Sequence, residues 1–220
     1  MTSIQKEIFK CVLSGDLEGI KEHLEREGVT EESQDIDVCG MKDEVGRNAL
    51  LTGCVLGRSA ISRELVRHGA QVDEQTVRGY SSLHLAACWG HLETVRTLLE
   101  LGADTQAKTF RGDRPVDLAR KYSRTDCADC LVLAEAKQDL VSYVAFVKDL
   151  ISDPEKNLTK EEKNVSTRIC SAKSDWIQSD KNATVSDFIA HRKDIEDTLQ
   201  PILSKLSTHS TVPVQPAGKI

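Results

Sequence analysis

Apolar residues along this chain fall into short runs with helical spacing. Leu83, Ala86 and Ala87 make one run, Val95, Leu98 and Leu99 a second, and Gly90 stands between them. The i, i+3, i+4 pattern predicts two short helices, each with one buried side. Gly79 suits a tight turn before the pair, Ser82 a cap on the first helix, and Gly102 the end of the second. The pattern returns every 33 residues. Shifted back, Gly79 becomes Gly46, Leu83 becomes Leu50, Gly90 becomes Gly57 and Leu98-Leu99 becomes Leu65-Val66. Shifted forward, it gives Gly112, Val116, Ala119 and Leu131-Val132, but Ser123 stands where Gly90 would be and no Gly-Ala ending follows. That copy is decayed, as the end of an array tolerates.

Residues 4–27 carry half of the same pattern, with Ile8, Cys11, Val12, Gly15, Leu17, Ile20 and Leu24 at the helical positions. Charges at Glu7, Lys10, Glu18, Lys21 and Glu22 fit the outer side of a cap. A polar, acidic loop over 30–43 absorbs the residues beyond the regular period. Past residue 133 the pattern changes to three longer helices. Leu133, Leu140, Val144, Val147 and Ile151 form one stripe. Val165, Ile169, Ala172, Trp176 and Ile177 form the next, opened by the capping box Thr159-Lys-Glu-Glu162. Phe188, Ile195, Leu199, Ile202, Leu203 and Leu206 form the last, opened by Thr184-Val-Ser-Asp187 and interrupted by Pro201, which removes a backbone hydrogen bond. The tail 207–220 has no periodicity and reads as disordered.

The stretch GYSSLHLAACWGHLETVRTLLELGAD from Gly79 to Asp104 resembles the ankyrin repeat, with Ser81-Ser82 replacing the usual Thr-Pro. The segments LVSYVAFVKDLI, LTKEEKNVSTRICSAKSDWIQ and ATVSDFIAHRKDIEDTLQPILSKL are similar in order to the helical lid of the seventy-kilodalton heat-shock chaperones. The expected fold is therefore all-α: an ankyrin-repeat solenoid with a half-repeat cap (4–27) and repeats at about 43–75, 76–108 and 109–133. A lid-like three-helix bundle follows over 134–206. The chaperone's ATPase domain and peptide-binding β-sandwich have no counterpart here, and no G-x-x-x-x-G-K-[ST] phosphate loop occurs. Chaperone ATP turnover is not implied. The combined resemblance implies a cytoplasmic protein-interaction adaptor associated with cilia or with the midbody or cleavage furrow of dividing cells.

Composition narrows the partners. The net charge of −6 gives no reason to expect nucleic acid or an anionic membrane. Residues 41–125 nevertheless hold 13 Lys and Arg against 10 Asp and Glu, so the repeats are mildly basic between acidic flanks. No run of 18 apolar residues suggests a membrane span. The first residues lack a signal peptide's apolar core, and seven unevenly spaced Cys residues point to a reducing compartment.

Candidate chemistry is sparse. Cys127-Ala-Asp-Cys130 lacks two further ligands for zinc, and His84 four residues before Cys88 occupies the motif position where a structural hydrogen bond is usual. No metal, cofactor, small-molecule substrate or enzymatic activity is expected. The repeat's variable positions project onto its concave face, and the resemblance places Arg78, Tyr80, Trp89, Phe110, Arg111 and Tyr122 there. Aromatic residues and Arg are the types enriched at interface hot spots. The expected partner is a protein segment with apolar and acidic side chains. An alternative is a chaperone-associated factor whose bundle binds apolar peptide or another chaperone.

Overall fold

The computed structural model describes residues 3–27, 42–43, 45–153 and 158–208. Most of the acidic loop placed at 30–43 lies outside the described residues.

Three turn tips, 33 residues apart, share one hydrogen-bond pattern. Asp43 N–H donates to the Arg47 carbonyl (2.8 Å), Thr76 N–H to Tyr80 (3.0 Å) and Thr109 N–H to Asp113 (3.0 Å). The glycine in each tip is left-handed, with φ of +81° at Gly46, +76° at Gly79 and +82° at Gly112. A Cβ on Gly46 would lie 2.9 Å from the Val77 nitrogen, so the close approach of the next tip also demands glycine.

Each tip leads into a pair of helices. These are α3 (Ala49–Val55) and α4 (Ser59–Arg67), then α5 (Ser82–Trp89) and α6 (Leu92–Glu100), then α7 (Pro115–Lys121) and α8 (Thr125–Ser152). Ahead of them α1 (Ser3–Ser14) and α2 (Leu17–Glu27) supply the half-repeat. The inner helices α1, α3, α5 and α7 pack side by side in that order, as do α2, α4 and α6 outside them. Leu50, Leu65, Leu83, Leu98, Val116 and Leu131 are fully buried in one continuous core. Ala86 and Ala87 are buried too, and their small side chains let neighbouring helices approach.

Ser81, rather than Ser82, caps α5. The Ser81 N–H donates to His84 Nδ1 (3.2 Å), while the Ser82 hydroxyl donates to the Val72 carbonyl. Capping pairs the N-cap with N3, and His84 sits at N3 of Ser81. The turn between the helices of a pair requires a left-handed residue, supplied by Gly15, Gly57 and Gly90. In the decayed copy Ser123 adopts it with φ +55°, a strain worth roughly 1–2 kcal/mol for a residue with a Cβ.

The chain divides into two compact units between Glu135 and Ala136, inside α8. The second unit is a bundle of the rest of α8 with α9 (Lys160–Ser179) and α10 (Val185–Thr208). Its core holds Leu140, Val144, Val147, Ile151, Cys170, Ile177, Phe188, Ile195 and Leu199. Leu133 is exposed and belongs to the first unit, so the α8 stripe starts one heptad later than its apolar pattern suggests. The buried side of α9 keeps Ile169, Trp176 and Ile177 of the expected stripe and is otherwise shifted. Ser166, Cys170 and Ile177 are buried, whereas Val165 and Ala172 are exposed. Small Ser and Cys let helices pack closely, whereas hydrophobicity alone prefers Val165 and Ala172. Thr159 and Glu162 form a reciprocal cap at 3.0 and 3.2 Å, and Thr184 and Asp187 form another at 2.8 and 3.3 Å. Pro201 lies within α10, which continues through Ser207 and Thr208; residues 209–220 lie outside the described residues, and nothing is described for the Leu206 side chain.

One cluster ties α9 to α10, and its histidine is expected to make the bundle sensitive to acid. Lys173 Nζ donates to His191 Nδ1 (2.9 Å) and to Asp194 (2.6 Å), and the His191 ring stacks on Trp176 at 3.7 Å. Nδ1 can accept only while it carries no proton. Burial first, then the Lys173 charge, hold the His191 pKa below its ordinary value of 6.5, against the pull of Asp194, Asp187 and Asp180. A depressed folded-state pKa means that unfolded chain binds the proton more readily. This contribution is therefore complete above about pH 6.5 and is lost as pH falls through that value toward the folded pKa. Between pH 7 and 5 the wild type is expected to lose more urea resistance than His191→Gln, with Trp176 fluorescence reporting the change. Equal pH slopes would contradict this account.

Candidate partner-binding face

The turn tips and the exposed ends of the inner helices form the surface on which the site residues lie. The tips are physically joined: Phe110 N–H donates to the Arg78 carbonyl at 3.1 Å. This bond brings Arg78, Phe110 and Arg111 together on adjoining turns. The Arg111 guanidinium lies over the Phe110 ring, 5.4 Å from its centroid. Phe110 is 65% exposed even so. Arg78 and Arg111 are exposed and make no ion pair among the described residues.

Trp89 and Tyr122 end α5 and α7 at equivalent positions, 55% and 50% exposed. A Trp that simply packed between repeats would be buried, and this one is not. Tyr80 differs from the others. It is half-buried, with its ring edge-on to His84 at a centroid distance of 6.2 Å.

A set of cross-repeat ties holds the inner-helix ends in line. Arg58 Nη2 donates to the Leu13 carbonyl (3.3 Å), His91 Nε2 to Val55 (2.8 Å) and Arg124 Nε to Cys88 (3.3 Å). The last carbonyls of a helix lack intrahelical donors, and here the next repeat supplies one. The sequence signal is a strong donor immediately after three of the four left-handed turn residues, at 58, 91 and 124. Only His91 stands in the repeat pattern.

Neither candidate for chemistry forms a reactive centre. The Asp113 carbonyl can only accept, so His84 Nε2 carries the proton it donates there (2.9 Å) and Nδ1 is left for Ser81. His84 thus joins two tips and a helix cap, and burial lowers its pKa. Burial raises the Cys88, Cys127 and Cys130 thiols, the opposite of nucleophile activation.

Comparison with known proteins agrees with this architecture. The family model described as ankyrin repeats (3 copies) matches residues 8–109. Ankyrin repeat domain-containing protein 45 of Danio rerio is 50% identical over 207 residues, covering 92% of each chain. The chain belongs to the ankyrin repeat domain-containing protein 45 family. The human protein of that name is 36% identical over 210 residues, covering 94% of this chain and 79% of its own. The Mus musculus protein is 34% identical over 210 residues, covering 94% and 85%. These matches span both units, so the bundle is a family feature as much as the repeats are. The repeat model stops short of the copy in which Ser123 replaces glycine. Ankyrin repeats are protein-interaction modules, so this family takes protein partners. Among the described residues no helix is long and apolar enough to cross a membrane.

Proposed function

We propose that this protein is a non-enzymatic adaptor that docks a partner segment on the concave face of its repeats. The observation that carries the reading is the exposure of Trp89, Phe110 and Tyr122, with Arg78 and Arg111 exposed and in no ion pair among the described residues. Large exposed aromatic rings are costly to leave in water, and aromatic residues with Arg dominate interface energetics. Trp89, Phe110 and Tyr122 act as apolar anchors, and Tyr80 supports them from its half-buried position. Arg78 and Arg111 select acidic side chains on the partner. The two-unit division supports separate roles for a repeat domain and a lid-like bundle. The adaptor works in the cytoplasm at cilia, the midbody or the cleavage furrow. Imaging of the tagged chain through the cell cycle tests that placement, and exclusion from all three structures would refute it.

The charges give the reading a kinetic signature. Reversing a rim charge changes encounter more than dissociation. Partners are recovered by proximity labelling in cells and their binding is then measured with purified protein. Arg78→Glu and Arg111→Glu are expected to slow association several-fold at low salt, with the difference closing as ionic strength rises. Salt-independent association, unchanged by either reversal, would remove the acidic-partner part of the reading.

A second reading rests on the bundle, where Val141, Phe146, Val165 and Ile189 are exposed. Such residues suit binding of apolar peptide. If this reading holds, residues 134–206 alone slow the aggregation of a heat-denatured client. A folded fragment without that activity leaves the adaptor reading alone.

A further inference from the structure

Three serines in the chain follow an arginine by three residues: Ser81 after Arg78, Ser123 after Arg120 and Ser171 after Arg168. Protein kinases choose their serine partly by such charge patterns, and those with acidic clefts take arginine at this distance. The structure separates the three serines. Ser81 is fully buried and its hydroxyl caps α5. Ser171 lies in the middle of α9, where a cleft that takes an extended segment would have to unwind the helix. Ser123 stands in the break between α7 and α8, and every residue from Arg120 to Asp126 is exposed. It alone has a second cation two residues before it, Lys121, and Arg124 follows it. Asp126 is the one carboxylate within that run, and Asp117 and Glu135 feel the charge of Arg120 from outside it. Even so, Arg120, Lys121 and Arg124 make no ion pair among the described residues.

The fold makes no use of this hydroxyl. The turn requires a left-handed residue, which Gly15, Gly57 and Gly90 supply in the other copies, and Ser123 adopts it at φ +55° under strain. Its N–H donates to the Arg120 carbonyl (3.0 Å), but its hydroxyl makes no hydrogen bond among the described residues. A strained residue whose side chain gives the fold nothing is a candidate for chemistry at that side chain. We propose that Ser123 is a phosphorylation site for a kinase that selects basic residues and, resting on the docking reading above, that its phosphate weakens the hold on an acidic partner. The Ser123 Oγ attacks the γ-phosphorus of ATP, the bond to the ADP oxygen breaks, and a kinase carboxylate takes the hydroxyl proton. Three cations against one carboxylate make the run 120–126 doubly positive. A phosphoserine carries about −1.5 to −2 charges, so modification brings that run close to neutral beside Tyr122.

The test incubates the full-length chain with ATP and the catalytic subunit of cAMP-dependent protein kinase, which takes serines preceded by arginine. Cleavage before aspartate releases residues 117–125, in which fragmentation mass spectrometry tells Ser123 from Tyr122 and Thr125. Phosphate is expected on Ser123 at least about tenfold faster than on Ser81 or Ser171, and Arg120→Gln should slow it about tenfold, the scale of one lost charged contact. Ser123→Gly should leave that peptide unmodified and melt at or above the wild-type temperature, because glycine takes the turn without strain. The same peptide from tagged chain expressed in cells with phosphatases inhibited is expected to carry the phosphate. No phosphate on Ser123 in either setting, a rate there no greater than at Ser171, or indifference to Arg120→Gln would overturn the site. A partner recovered by proximity labelling should associate several-fold more slowly with the phosphorylated chain at low salt, and at the unmodified rate with kinase-treated Ser123→Gly. Equal association would overturn the control of docking. The docking reading fails separately, when a recovered partner binds Trp89→Ala as well as wild type, and phosphate on Ser123 would stand even then.

Discussion

Replacing Leu98 with Ala is expected to cost about 2–5 kcal/mol of folding free energy. Leu98 is fully buried on α6, in the same core as Leu65 of α4 and Leu131 of α8. Its backbone carbonyl also accepts the Ala103 N–H (3.0 Å), which fixes the end of the helix. Removing the side chain leaves a cavity in that shared core. In a solenoid the stability of a repeat depends on its interfaces with its neighbours, so the loss should weaken both sides of the central repeat. Leu99 is only partly buried, and Leu99→Ala is expected to cost less. Urea titration followed by circular dichroism measures both. A change below about half a kcal/mol for Leu98→Ala, far under the range for a buried Leu, would contradict the packing.

The repeats were legible because their pattern is redundant. A Gly-led tip, a buried Leu or Val at the first helix, a left-handed break and a Leu-Leu or Leu-Val pair recur with one spacing, so each copy corrects errors in reading the next. What repetition could not supply was local. Which of two adjacent serines caps α5 depends on the reach of His84, and both choices fit the pattern. The bundle has no repeat to average over. On α9 the buried line runs through Ser166 and Cys170, and hydrophobicity alone prefers Val165 and Ala172, about 100–200° further round. The face residues Trp89, Phe110 and Tyr122 were legible as the positions where the repeat leaves identity open. Their exposure was not, because a Trp at such a position can equally fold back between repeats. The ties from Arg58 and Arg124 were hidden because a surface Arg has too many possible partners for its sequence position to choose one.

The second large effect is expected at Trp89, where truncation to Ala should weaken partner binding by roughly 2 kcal/mol or more, the scale of an interface hot spot. That is about thirtyfold in Kd. The indole stands at the middle of the inner-helix row, between Leu56 and Tyr122, with 55% of its surface open to solvent. A partner that covers it removes that apolar area from water. Its contribution to folding is small for the same reason, since most of its surface already faces solvent in the folded state. Binding and stability therefore separate on this one variant. The decisive measurement is the affinity of a recovered partner for wild-type and Trp89→Ala protein, with the melting temperature of each recorded alongside. The docking account predicts a loss of about thirtyfold with a melting temperature close to wild type. Unchanged affinity in a folded Trp89→Ala protein, for every partner recovered, would contradict it.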